Sequence, residues 1–166
     1  MSDPLLHRLT ADEANIVAQF TQEYPVKVGE LAQTLGLRVV TAPLEPRISG
    51  LIQPSREAKA GFEIKVNKYE TPERQRFTIA HEIAHYLLHR DSIGSGVVDS
   101  VLYRSNLTSR KETEANRLAA TIVMPASLVA REANRLGGAS RPGVAEELAR
   151  LFRVSGPAMK VRLGLT

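Results

Sequence analysis

The spacing of hydrophobic residues divides the chain into a helical stretch, an extended stretch and a second helical stretch. Ala14, Val17, Ala18 and Phe20 recur at helical intervals behind Thr10 and Glu13, whose separation is that of a capping box. Beyond Pro25, Val28, Leu31, Ala32 and Leu35 keep the helical interval until Gly36, a residue suited to closing a helix. Helices are expected over about residues 10–36. From about 37 to 69 the interval shortens to two. LRVVTA, ISGLIQ and FEIKVN are β-rich runs parted by Pro43, Pro46, Pro54 and Gly61; in the last, Phe62, Ile64 and Val66 alternate with Glu63, Lys65 and Asn67. That alternation predicts a sheet with one solvated face, and VVDSVLYRS, after residue 96, is a candidate fourth strand. Thr71 followed by Pro72 and Glu73 starts a helix over about 72–90. The helical interval returns over about 109–124, stops before Pro125, and continues in closing helices over about 126–163. The expected fold is α+β: one domain over residues 1–166, with a small twisted sheet of about three or four strands on a helical core.

The helix over 72–90 departs from the others in being apolar on nearly every side, with Phe77, Ile79, Ala80, Ile83, Ala84, Leu87 and Leu88, the pattern of a buried helix. Inside it stand His81, Glu82 and His85, an H-E-x-x-H stretch. At i and i+4 the two imidazoles share one face a turn apart and can reach one ion. Two buried imidazoles beside a buried carboxylate are costly without a metal or another partner. Two neutral nitrogen ligands with Glu82 as a base make the division of labour a zinc hydrolase needs.

Composition narrows the ligand set. The chain has no cysteine, so a metal must be held by His, Asp or Glu. His89 continues the i, i+4 series but lies two turns from His81, roughly 12 Å along a helix, too far to share an ion with it. His89 is therefore expected outside the ligand set. Asp91, ten residues after His81, is one candidate for the third ligand. Glu112, on the downstream helix, is the preferred one, with Asn116 a turn later on the same face to hydrogen-bond a histidine. Glu114 is turned to the opposite side of that helix and is expected to be a solvated charge or a member of a surface pair. Tyr103 and Arg104, between the two helices, are candidates for stabilising an oxyanion or contacting substrate.

Charge bears on partners. The net charge is +4, and residues 131–166 hold seven basic and three acidic side chains, so the excess lies at the C-terminal end. A basic end can meet nucleic acid or an acidic partner, but a solvated helical face has the same composition. No secretory pattern opens the sequence and no run of about 18 apolar residues occurs. A cytoplasmic protein with no membrane contact is expected.

Four stretches in order, PVKVGELAQTLGLRVV, SGLI, VNKYETPERQRFTIAHEIAHYLLH and ETEANRLAATIVMP, resemble the ImmA/IrrE family of bacterial metallopeptidases. The likeness runs over most of residues 25–163. It implies a zincin-like fold in which His81, His85 and Glu112 hold Zn2+, or another divalent ion such as Mn2+, and Glu82 is the catalytic base. It further implies an endopeptidase that cuts a helix-turn-helix transcriptional repressor and so releases phage, mobile-element, toxin–antitoxin or stress genes. Direct nucleic-acid binding is not expected. The competing expectation is a non-catalytic metal-containing module that binds a repressor or DNA through its basic C-terminal end. Glu82 separates the two, because a structural site needs no general base.

Overall fold

The computed structural model describes residues 3–100 and 109–165. A 3-10 turn, Pro4–Arg8, precedes helices α1 (Ala11–Phe20) and α2 (Val28–Thr34). Strands β1 (Arg38–Ala42), β2 (Ile48–Pro54) and β3 (Phe62–Asn67) follow, then helix α3 (Pro72–His89) and strand β4 (Val97–Ser100). Helices α4 (Ser109–Val123), α5 (Ala126–Arg135), α6 (Val144–Phe152) and α7 (Gly156–Arg162) complete the α+β arrangement. The part of VVDSVLYRS beyond Ser100, with Tyr103 and Arg104, lies outside the described residues.

The helix starts are chemically determined. At α1 the Thr10 hydroxyl accepts from the Glu13 amide while the Glu13 carboxylate accepts from the Thr10 amide, a complete capping box. At α3 the Thr71 hydroxyl accepts from the Arg74 amide, and Pro72 occupies a first-turn position where its missing N–H costs nothing. The far end of α3 passes at Arg90–Ser92 into a 3-10 turn, so the helix stops one residue short of its expected limit.

The strands form one mixed sheet in the order β1-β3-β2-β4, with β1 parallel to β3 and the other pairs antiparallel. β4 is therefore an edge strand beside β2, and their pairing shifts register between Ile48 and Gly50. Helix α3 packs on β2 and β3 and against α2 and α4. Its approach to the sheet needs Gly50. A Cβ there would stand 2.5 Å from Thr78 Cγ2 and 2.8 Å from the Lys65 carbonyl oxygen.

The expected solvated face of β3 is largely covered instead. Glu63 is buried, accepts from the Gln53 amide at 2.9 Å and pairs with Arg38 at 3.6 Å. Asn67 is buried and donates to the carbonyls of Glu45 and Ile48. A central strand has neighbours on both sides, and here their side chains and the β1–β2 connection close over its polar positions. Ile52 and Ile64 of the sheet join Ile83 of α3, Leu118 and Ile122 of α4, and Leu148, Phe152 and Met159 of α6 and α7 in one apolar cluster. This cluster fixes α3 between the sheet and α4, which is what positions the site.

Candidate metal centre

Helix α3 carries three histidines on one stripe, and α4 faces that stripe. The Nε2 atom of His81 stands 3.1 Å from Oε1 of Glu112, and Nε2 of His85 stands 3.1 Å from Oε2 of the same carboxylate. One ligand atom from each of His81, His85 and Glu112 lies within 4.8 Å of the others. His85 is fully buried, His81 nearly so, and Glu112 is half-buried. A tetrahedral ion with bonds of ~2.0–2.2 Å holds its donors roughly 3.4 Å from one another, so this donor set fits a divalent ion after small adjustments. The hydrophobic flanks of α3 pack around the two imidazoles, and His81 borders a cleft.

Glu82 is fully buried and lies on the sheet side of the helix, with Oε2 3.7 Å from where a Cβ of Gly50 would be. The same glycine that admits α3 to the sheet therefore leaves room for this carboxylate. Asp91 is exposed in the 3-10 turn and is absent from the ligand group. Of the two candidates for third position, the structure brings Glu112 to the histidines.

Asn116 is exposed and makes no hydrogen bond to either histidine among the described residues. The cause is direction: α4 runs antiparallel to α3, so a turn beyond Glu112 moves the side chain past His81 toward Phe77 rather than toward His85. There Asn116, His81, Phe77, Val154 and Ala158 line a cleft of about 330 Å³ that opens beside the ligand group. Arg74, Ser49 and Glu73 form its polar rim.

Glu114 forms the expected kind of ion pair, with Arg8, but also reaches a buried histidine. Its carboxylate accepts from His89 Nε2 at 2.9 Å and from Arg8 Nη1 at 2.7 Å, because the N-terminal segment covers that side of α4. The hydrogen bond from His89 holds the Glu114 carboxyl below its usual range, with Arg8 adding to the effect against the cost of burial. Burial pulls His89 below the ordinary imidazole range, opposed by Glu114. His89 is thus outside the ligand set, as its distance from His81 predicts, yet its Nδ1 is 3.1 Å from Nδ1 of His85. Nothing in the local sequence spacing announces Arg8 or Glu114 as neighbours of the centre, since they are 106 positions apart.

Comparison with known proteins gives the family and the fold. The family model described as the IrrE N-terminal-like domain, a peptidase family, matches residues 32–164. The radiation response metalloprotease IrrE of Deinococcus radiodurans is 37% identical over 92 residues, which are 55% of this chain and 27% of that protein. Its counterpart in Deinococcus deserti is 39% identical over 92 residues, 55% of this chain and 32% of that protein. The matched part is thus about a third or less of the curated relatives' length. A solved Mycobacterium tuberculosis transcriptional regulator shares the fold at a TM-score of 0.59 and 16% identity, over 96% of this chain and 52% of that one.

Proposed function

The chain belongs to the IrrE N-terminal-like domain family of peptidases, and from that premise we propose that it is a zinc-dependent endopeptidase whose substrate is a helix-turn-helix transcriptional repressor. The observation that carries the proposal is the convergence of His81, His85 and Glu112 on one point beside an open cleft. Three protein ligands leave one position for water or substrate, which is the arrangement of catalytic rather than structural zinc. Mn2+ is the next candidate for the same donors.

A divalent ion in this position supplies Lewis acidity and brings the pKa of a water to about 7. The remaining work falls to the chain. His81 and His85 are held toward Glu112 by the packing of α3 against α4, and Glu112 adds a carboxylate to the two imidazoles. Glu82 is the proton carrier: it takes a proton from the attacking water and returns it to the leaving amine. It is fully buried beside Gly50 of β2. β4, an edge strand beside β2, offers backbone groups for an extended substrate segment. Tyr103 and Arg104, which follow β4 in sequence, remain our candidates for the oxyanion, and Asn116 becomes a candidate for contacting substrate in the cleft. Repressors act on DNA in the cytoplasm, and no described helix is long and apolar enough to cross a membrane.

The non-catalytic alternative would rest on the basic end. There Arg135 pairs with Glu132, Arg150 with Glu147 and Lys160 with Glu146, which uses all three acidic side chains of residues 131–166, and Arg162 donates to the Met124 carbonyl oxygen. Arg131, Arg141 and Arg153 are exposed on separate segments. Co-expression with the repressor encoded beside its gene tests the proposal. Wild type is expected to convert the repressor into two fragments and Glu82→Gln to leave it whole; an intact repressor with both proteins contradicts it.

A further inference from the structure

The hydrogen-bonding groups behind His85 form an unbroken line to the surface. His85 Nδ1 meets His89 Nδ1 at 3.1 Å, His89 Nε2 meets Glu114 Oε1 at 2.9 Å, and Glu114 Oε2 meets Arg8 Nη1 at 2.7 Å. The first two members are buried, and Arg8 is half in solvent. A neutral imidazole carries one N–H, so each link constrains the next.

Two proton arrangements satisfy the His85–His89 contact with neutral rings. In one, His85 carries its proton on Nδ1 and donates to His89 Nδ1. His89 then has its proton on Nε2 and donates to Glu114, whose other oxygen accepts from the Arg8 guanidinium. The groups behind His85 are then satisfied, and Nε2 of His85 presents its lone pair toward Glu112 Oε2, 3.1 Å away, a contact that a cation between the two would relieve. In the other, His89 carries its proton on Nδ1 and donates to His85. The lone pair of His89 Nε2 then faces a carboxylate oxygen 2.9 Å away, a repulsive contact in a buried place. His85 Nε2 would carry the proton and could not ligate.

We propose that Glu114, acting through His89 and fixed by Arg8, sets the tautomer of His85 and so prepares that nitrogen to bind metal. Glu114 and His89 are positioning residues that touch no substrate. The proposal rests on the reading of His85 as a ligand and extends the centre to the N-terminal segment, because Arg8 lies before the matched family region of residues 32–164. Arg8 supplies a charge that never deprotonates, so Glu114 stays an acceptor with one oxygen always engaged. Groups in this position behind a ligand are commonly worth 10–100-fold in metal affinity.

Zinc affinity, measured by competition with a chromogenic chelator, and the imidazole 15N shifts of His85 test this in the full chain. Wild type is expected to bind zinc and to show His85 protonated at Nδ1. His89→Phe, which keeps a ring and removes both nitrogens, is expected to lose roughly 10–100-fold in affinity. Glu114→Gln is expected to lose affinity in the same direction and to show the second tautomer of His85 in the metal-free protein. Should His89→Phe fail to fold, Glu114→Gln carries the test alone, since its side chain is not in the apolar core. His89→Gln is expected to recover most of the affinity, because one amide accepts from His85 and donates to Glu114. Wild type that binds no zinc would overturn the ligand reading beneath the proposal. Wild type that binds zinc while Glu114→Gln shows unchanged affinity and unchanged His85 shifts would overturn the relay alone.

Discussion

Glu112 and Glu114 stand two positions apart on one helix and do different work. Glu112 meets the imidazoles of His81 and His85, whereas Glu114 meets that of His89. The first placement was legible in the sequence, because a cysteine-free site needs a carboxylate beside the two histidines and the downstream helix offers Glu112. The second was not: a helical wheel turns Glu114 away, and only the packing of the N-terminal segment makes that side an interior. Asn116 shows the same limit in reverse, for its spacing from Glu112 is right but the antiparallel direction of α4 carries it past the histidines. The lowered Glu114 carboxyl gives a pH prediction. An unfolded glutamate titrates near ~4.3, and the folded one titrates lower, so the unfolded chain takes up the proton first. The contribution of Glu114 is complete above about pH 4.3 and is lost as pH falls through the folded value. Thermal melts between pH 6 and 3 are expected to show a declining midpoint in wild type and a shallower decline in Glu114→Gln. Parallel curves would mean that Glu114 carries no such linkage.

At the scale of elements, the boundaries that follow local chemistry were the legible ones. Thr10 with Glu13 and Thr71 with Pro72 start α1 and α3 where the sequence places them, because a cap needs only its own next few residues. The covered polar face of β3 was not legible, because alternation along one strand says nothing about what its neighbours fold over it. The role of Gly50 was equally hidden. It sits in the strand-like run ISGLIQ, and its meaning appears only where Thr78 of α3 comes against it. Substituting Gly50→Ala sets a methyl group against Thr78 Cγ2 and the Lys65 carbonyl oxygen, and backbone atoms of a central strand yield little. Overpacking of this kind costs roughly 1–3 kcal/mol. The denaturation midpoint of Gly50→Ala is expected to fall accordingly, and α3 to move away from β2 with Glu82. A midpoint equal to wild type would show that the sheet and helix can part there without cost.

For the molecule as a whole, the sheet, α3 and α4 form the frame, and the centre exists only where they meet. The sequence pattern predicted the α+β class and a sheet of about three or four strands, since each element announces its own period. It could not supply the sheet order β1-β3-β2-β4, which depends on a parallel crossover and on β4 arriving at the edge. That order leaves α3 between the strands and α4, so His81 and His85 face Glu112 while Glu82, next to them on the helix, turns toward Gly50 of the sheet. On the proposed function Glu82 is a base and not a ligand, so substitutions should separate metal binding from catalysis. The most direct measurement of this claim is the zinc content of purified protein by elemental analysis. The account predicts about one zinc per chain in wild type and in Glu82→Gln, and little or none in His81→Ala, His85→Ala and Glu112→Ala. Full zinc content in Glu112→Ala, or its loss in Glu82→Gln, would contradict it.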